Sequence, residues 1–98
     1  MKRKVLLSNP AKTDIRRIIT YIRLDKPVAA EKFKGILKTK IRSLEKLSQR
    51  GRKVPELAGT AFEDYRELVL KPCRILYKIS GHEIRILRIL HSRMQFVL

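Results

Sequence analysis

The chain has 98 residues and carries 24 Lys and Arg against 9 Asp and Glu, which gives a formal net charge of +15. A chain of this length forms one small domain, expected here over residues 1–98, and excludes a Rossmann cofactor domain or a TIM barrel, which need far more residues. The sequence is 44% hydrophobic, which suffices for a globular core and argues against wholesale disorder.

The cysteine content and the short apolar runs indicate the cellular compartment and exclude some classes of site. Cys73 is the only cysteine, which excludes an internal disulfide and a cysteine-rich zinc site. Apolar runs are far shorter than the ~20 residues that span a bilayer, and no apolar segment follows the basic N-terminus as it would in a signal peptide. We therefore expect a cytoplasmic protein that uses no metal or cofactor.

The positive charge is concentrated in the first half. Residues 1–53 contain 17 Lys and Arg and 4 Asp and Glu, a net charge of +13, whereas residues 54–98 have a net charge of +2. Such a basic half indicates a polyanionic partner, either nucleic acid, a ribosome or an acidic protein. The alternative is a solvated basic face without a dedicated ligand.

The first elements are a short strand and a helix. Residues Lys4–Ser8 have the composition of a strand bounded by polar residues. Asn9 suits the N-cap of a helix, and Pro10 suits its first helical position. The apolar residues that follow recur at helical spacing and define one buried face: Ala11, Ile15, Ile18, Ile19 and Ile22.

A second helix begins at Pro27, after a connection so short that we expect an antiparallel helical hairpin. Gly51 is predicted to end this helix as a left-handed cap. Its apolar stripe has a period close to 3.6: Phe33, Leu37, Ile41, Leu44 and Leu47. The first four of these residues are expected to be buried against strands.

The second half contains a loop over residues 51–64 and then three strands, Tyr65–Leu70, Cys73–Ser80 and Glu83–Leu90. Residues Ser80–Glu83 form a compact hairpin turn with His82 as a turn residue. The order is therefore β-α-α-β-β-β. It predicts an α+β fold with the helical hairpin on one face of a small, antiparallel-rich sheet.

The order of elements and the sequence motifs of the last third resemble the RelE/ParE toxin superfamily. The resemblance lies in Tyr65-Arg66-Glu67-Leu68, in Arg74-Ile75-Leu76-Tyr77-Lys78-Ile79 and in the strand that ends with Ile-Leu-His91-Ser92-Arg93. The opening Ser8-Asn9-Pro10-Ala11 before an Ile-rich helix is also similar to the family. Each motif is weak alone, but their order and spacing extend over nearly the whole chain.

The resemblance implies the toxin of a type II toxin–antitoxin (plasmid stabilisation) module, neutralised by an antitoxin. ParE-like members inhibit DNA gyrase, whereas RelE-like members cut messenger RNA on the ribosome. The ending around His91 is closer to the ParE branch, so we favour gyrase. Two departures are Cys73, where the family often has Tyr, and Met94, where a second Arg is common. A non-toxic module that binds nucleic acid is the third alternative.

If the protein is instead RelE-like, it would be a metal-independent endoribonuclease that needs a proton-transfer group and cations for the phosphate. His91 suits proton transfer, while Arg66, Arg74 and Arg93 suit phosphate. With a two-residue turn at 81–82, paired positions sum to 163, so Arg74 faces Ile89 and shares a face with His91. The face of the sheet on which Arg66 lies is not determined, because it depends on whether the loop at residues 71–72 has two residues.

Each candidate also has a structural alternative. His91 is more often a structural or antitoxin-contacting residue than a catalyst. Arg74 is more often a surface residue or part of an ion pair, here with Glu67 or Glu83. Glu63, Asp64 and Glu67 are possible bases that a charged loop rim explains equally well. Cys73 has no evident His or Asn relay for a nucleophile. The tail lacks a Tyr, and Phe96 suits either base stacking or the core.

The antitoxin is the expected partner, since toxins of this kind usually hold the antitoxin tail in an apolar groove. Such a basic toxin favours an acidic tail, which folds on binding. The candidate groove residues are the apolar stripe of the second helix: Phe33, Leu37, Ile41 and Leu44.

Overall fold

The computed structural model describes residues 2–93 as two helices packed on a five-stranded mixed sheet. The expected α+β fold is confirmed. The elements are β1 (Lys4–Leu7), α1 (Asn9–Asp25), α2 (Pro27–Ser43), β2 (Arg52–Lys53), a 3-10 turn (Pro55–Leu57), β3 (Arg66–Leu70), β4 (Cys73–Ser80) and β5 (Glu83–His91).

The sheet has the strand order β1-β5-β4-β3-β2, in which β1 runs parallel to β5 and the other pairs are antiparallel. The short strand β2 lies within the segment predicted as loop. It pairs Arg52 with Glu67 and so extends the sheet by one edge strand. Two paired residues leave no period-2 pattern in the sequence, which is why the strand escapes prediction.

The start of α1 depends on contacts with β5. Ser8, and not Asn9 as predicted, is the N-cap, because its Oγ accepts the N–H of Ala11 at 3.1 Å. The same hydroxyl donates to the carbonyl of Leu87 at 2.8 Å, and the Ser8 N–H donates to Ile86 at 3.0 Å. The cap therefore sits one residue earlier because β5 holds Ser8 in place.

The two helices are joined by a single residue and bury the predicted apolar stripes. In α2, Leu37, Ile41 and Leu44 lie in the core, and Phe33 packs against it with partial exposure, so the predicted burial is confirmed. Leu47 is 57% exposed because it lies beyond the end of the helix. Among the helices of residues 2–93, we find none long and apolar enough to span a membrane.

The prediction that α2 continues to a left-handed cap at Gly51 is wrong. The helix ends at Ser43, and Gly51 instead packs directly on Tyr77. The Tyr77 hydroxyl accepts the Gly51 N–H at 2.9 Å and donates to the Ser48 carbonyl at 2.8 Å, which fixes the segment after α2 onto the sheet. A Cβ at Gly51 would lie 2.5 Å from the Glu67 carbonyl oxygen, so glycine is required for this close approach.

The β4–β5 hairpin follows the predicted register for only half its length. Ser80 pairs with Glu83 across the two-residue turn, as predicted, and the register holds as far as Tyr77 and Ile86. A β-bulge then shifts the pairing by one residue, so that Cys73 lies opposite His91. The shift decides which side chains of the C-terminal region share a face.

Candidate functional site

The distal half of β5 is anchored to α1 through a buried carboxylate. Both Asp14 oxygens bind the guanidinium of Arg88, with Nε–Oδ2 and Nη2–Oδ1 distances of 2.7 Å and 2.9 Å. Asp14 Oδ2 also accepts the backbone N–H of Ile89 at 3.0 Å. Hydrogen bonding to Asp14 raises the pKa of Arg88. This pair, which the sequence analysis missed, fixes the strand that ends at His91.

The bulge places Arg74 and His91 on opposite faces of the sheet, so the prediction that they share a face is wrong. His91 lies opposite Cys73, and both side chains are buried on the helix-covered face. Arg74 is the next residue along β4 after Cys73 and therefore points to the other face, opposite Leu90. The bulge inserts one extra residue into the pairing, so each side chain beyond it lies on the opposite face from the one predicted.

Arg74 is committed to an ion-pair cluster on that other face. Its Nη1 lies 2.9 Å from Glu67 Oε1, and Arg52 Nη2 lies 3.1 Å from Glu67 Oε2. Glu67 is only 2% exposed, and Arg74 also lies 3.9 Å from Glu56. The pairing of Arg74 with Glu67 is thus confirmed. Both oxygens of the Glu67 carboxylate are therefore occupied by cations.

Arg66 occupies a third location. It pairs across the sheet with Tyr77, and its Nη1 donates to the Gly51 carbonyl at 2.8 Å. Tyr77 and Cys73, the partner of His91, are four residues apart on β4, or about 13 Å along the strand. The side chains of Arg66, Arg74 and His91 therefore do not converge on one reacting group.

The His91 side chain is hydrogen-bonded to the backbone two residues beyond it. Its Nδ1 accepts the backbone N–H of Arg93 at 3.1 Å, which in the neutral ring leaves the proton on Nε2. The ring packs edge-on against Tyr21, with centroids 5.5 Å apart. Burial lowers the pKa of His91 below its ordinary value of 6.5, and the charge of Arg93 lowers it further. Both effects favour the neutral imidazole over the charged form.

A cavity of about 640 Å³ opens beside His91, at the end of the helical hairpin. Leu24, which helps to line it, is 84% exposed. The wall thus combines apolar, aromatic and cationic groups, a mixture that suits contact with a protein segment. The lining residues are Tyr21, Ile22, Leu24, Asp25, Lys26, Pro72, His91 and Arg93.

The remaining candidates are placed as follows. Cys73 is fully buried, and burial raises the pKa of its thiol to about 11, so it is not a thiolate nucleophile near neutral pH. His82 lies exposed in the β4–β5 turn, as predicted. Glu63 and Asp64 are exposed in the loop before β3. Phe96 and Met94 lie outside the described residues 2–93.

Known structures share this fold. The structure of the chromosomal ParDE toxin–antitoxin system from P. aeruginosa aligns with a TM-score of 0.76 and 22% identity, covering 92% of this chain and 96% of the other. The toxin–antitoxin complex RelBE2 from Mycobacterium tuberculosis aligns with a TM-score of 0.64 and 15% identity, covering 94% and 100%. A conserved hypothetical protein from Helicobacter pylori aligns with a TM-score of 0.58 and 18% identity, covering 98% and 100%.

Sequence comparison identifies the family. No curated protein matches the sequence at a significant level. Residues 5–96, however, match the family described as the ParE toxin of the type II toxin–antitoxin system parDE. This match covers nearly all of the chain and agrees with both the fold and the motifs around β3, β4 and β5. The chain therefore belongs to the ParE toxin family of type II toxin–antitoxin systems.

Proposed function

We propose that this toxin, as a single domain over residues 1–98, acts by binding and inhibiting DNA gyrase and breaks no bond itself. The observation that carries the proposal is the separation of Arg66, Arg74 and His91 in three different environments. A ribonuclease needs a proton-transfer group and phosphate-binding cations around one scissile bond. An inhibitor needs only a surface of suitable shape and charge.

The decisive experiment treats two targets side by side. Purified toxin is added to gyrase with plasmid DNA, and at matched concentration to ribosomes programmed with messenger RNA. We expect loss of supercoiling, or accumulated DNA breaks, and intact transcripts. Codon-dependent cuts in the transcript with unaffected supercoiling would overturn the proposal.

The alternative is a RelE-like ribosome-dependent endoribonuclease. It is favoured by the one pair of candidates that does lie together, since His91 and Arg93 are in contact and border the same cavity. Under this alternative, His91→Ala abolishes cleavage and toxicity while the fold persists. Under gyrase inhibition, toxicity survives that change or falls only together with binding. His82→Ala, in the exposed turn, is the matched control.

We also propose that the toxin is neutralised by an acidic antitoxin segment. The relatives of known structure include a ParDE system and a RelBE2 complex, and the toxin's charge of +15 favours an acidic partner. Leu37, Ile41 and Leu44 are enclosed in the toxin's own core, so contact with the predicted groove would be made through Phe33 and exposed neighbours.

Expression without the antitoxin distinguishes a toxin from a non-toxic nucleic-acid-binding module. We expect growth arrest that co-expression of a small acidic protein encoded in the adjacent gene relieves. Growth that continues normally at high expression would favour the non-toxic module. A DNA-damage response during arrest supports gyrase as the target, and rapid translation arrest supports the ribosome.

A further inference from the structure

A row of three exposed cations runs along α2. Lys34, Lys38 and Arg42 succeed one another at four-residue spacing, and all three are exposed. In the part of the chain that the structure describes, none of them forms an ion pair, although Glu31 of the same helix pairs with Arg23 at 2.8 Å. The row is therefore a strip of positive charge without internal compensation.

This arrangement works against the helix that carries it. Like charges four residues apart repel each other and destabilise a helix. The helix dipole favours cations in the last turn, which explains Arg42 but not Lys34 or Lys38. Two of the three cations thus lack a structural reason.

A second pair of cations borders the same side of the hairpin. In α1, Lys12 and Arg16 repeat the four-residue spacing, are exposed, and have no ion pair within residues 2–93. Arg23 lies seven residues after Arg16, and Glu31 lies seven residues before Lys38, so each lies near the same face of its own helix. Because Arg23 and Glu31 bridge the two helices, the row in α2 and the pair in α1 flank one seam.

The chemistry of the row selects among polyanions. A protein partner is normally held by apolar or aromatic anchors, and none interrupts the row. Single-stranded nucleic acid is bound on aromatic stacking platforms, but Phe33 packs against the core and Tyr21 lies against His91 at the hairpin end. Three cations at ~6 Å intervals instead suit a regular backbone, since ~12 Å of duplex presents three to four phosphates per strand.

We propose that the row Lys34, Lys38 and Arg42 binds the sugar–phosphate backbone of duplex DNA without sequence preference. The choice of DNA over duplex RNA rests on the proposed function, because DNA is the substrate of gyrase. The row would hold the toxin on the DNA that its target also engages.

The test measures how salt weakens binding of the whole toxin to a fluorescent DNA duplex of arbitrary sequence, about two helical turns long. The variant Lys34→Gln/Lys38→Gln/Arg42→Gln removes the row. The control Lys4→Gln/Lys71→Gln/Lys78→Gln removes the same charge from the sheet and its turns. Because each variant removes three positive charges, the effect of overall charge cancels in this comparison, and circular dichroism checks that both variants are folded.

We expect the slope of log K against log salt to become shallower by about 2.7 in the row variant, since each phosphate contact contributes ~0.9. Between ~50 and ~200 mM salt, the wild type then loses about 40-fold more affinity than the row variant. The control should keep the slope of the wild type. An equal change in both variants would show diffuse charge and overturn the proposal.

Two competition arms complete the test. Tighter binding of duplex RNA of the same sequence, or of an acidic peptide of equal charge, would also overturn the proposal and assign the row to that ligand. Because no gyrase is present in this binding assay, a negative result does not bear on gyrase inhibition, which the supercoiling assay tests separately. Conversely, if the toxin binds the duplex through the row but does not inhibit gyrase, the inference on DNA binding stands and the proposed function is refuted.

Discussion

The two halves of β5 are held in the sheet by different means. The first half, Glu83–Ile86, lies between β1 and β4 and is paired by backbone on both edges. Beyond Ile86, where β1 has ended, the outer edge of β5 is instead met by the carboxylate of Asp14, which binds Arg88 and the Ile89 N–H. The buried Asp14 carboxylate, together with the Ser8 hydroxyl on the Leu87 carbonyl, thus takes over the position of a strand. The geometry around His91 depends on these contacts.

The strongest test of this difference is Asp14→Ala. The change removes the carboxylate that accepts from the Arg88 guanidinium, 18% exposed, and from the Ile89 N–H. We expect a loss of about 3 kcal/mol in the free energy of unfolding, as for a broken buried ion pair. Urea denaturation measures it, with Asp25→Ala at an exposed position of the same helix as control. Equal losses in the two variants would refute the role given to Asp14.

Gly51→Ala probes the boundary between the two halves, because Tyr77 pairs with Ile86 there. The added Cβ would lie 2.5 Å from the Glu67 carbonyl and 2.7 Å from the Tyr77 hydroxyl. We expect a loss of about 1–3 kcal/mol, typical of an overpacked site. Gly35→Ala is the matched control, since nothing lies within 4 Å of its Cβ, and alanine in a helix should stabilise by about 0.5–1 kcal/mol. Thermal unfolding compares the two, and a Gly51 variant as stable as the wild type would contradict the close packing.

The smallest expected effect is a pH dependence of the free energy of unfolding, which arises from His91 in the second half of β5. Because the pKa of His91 is lowered on folding, the unfolded chain binds this proton more readily. Stability should therefore fall as the pH drops from about 6.5 towards the folded pKa, and should be insensitive to this group above ~7. Urea midpoints over this range measure it. His91→Gln should flatten the dependence, and an unchanged dependence in that variant would refute the role given to His91.

Sequence reasoning reached the fold because the local signals agree with the tertiary structure. Pro27 begins α2, the apolar stripes of both helices enter the core, and the bounds Cys73–Ser80 of β4 are those predicted. Gly51 misled because glycine after a helix usually indicates a cap. Its actual role, the close approach to Tyr77, depends on residues 26 positions away and leaves no local pattern.

The candidate site was harder to predict because one inserted residue changes the face of every later side chain. The strand Glu83–His91 contains no glycine or proline to indicate a bulge, so the register beyond Ile86 was wrong. A signal did exist in α1. Asp14 stands within the apolar stripe, three residues after Ala11 and four before Ile18, and a carboxylate at a buried position requires a partner such as Arg88.

The parallel pairing of β1 with β5 has a consequence for biosynthesis. Lys4 lies opposite Glu83, which is 79 positions later in the chain. The edge of β5 that faces β1 therefore stays unpaired until these two distant strands meet. Contacts this distant close late, because the chain between them must first be ordered. While the toxin is being translated, its first strand waits for its last strand to emerge. A nascent toxin therefore gains its folded surface only after β5 has emerged.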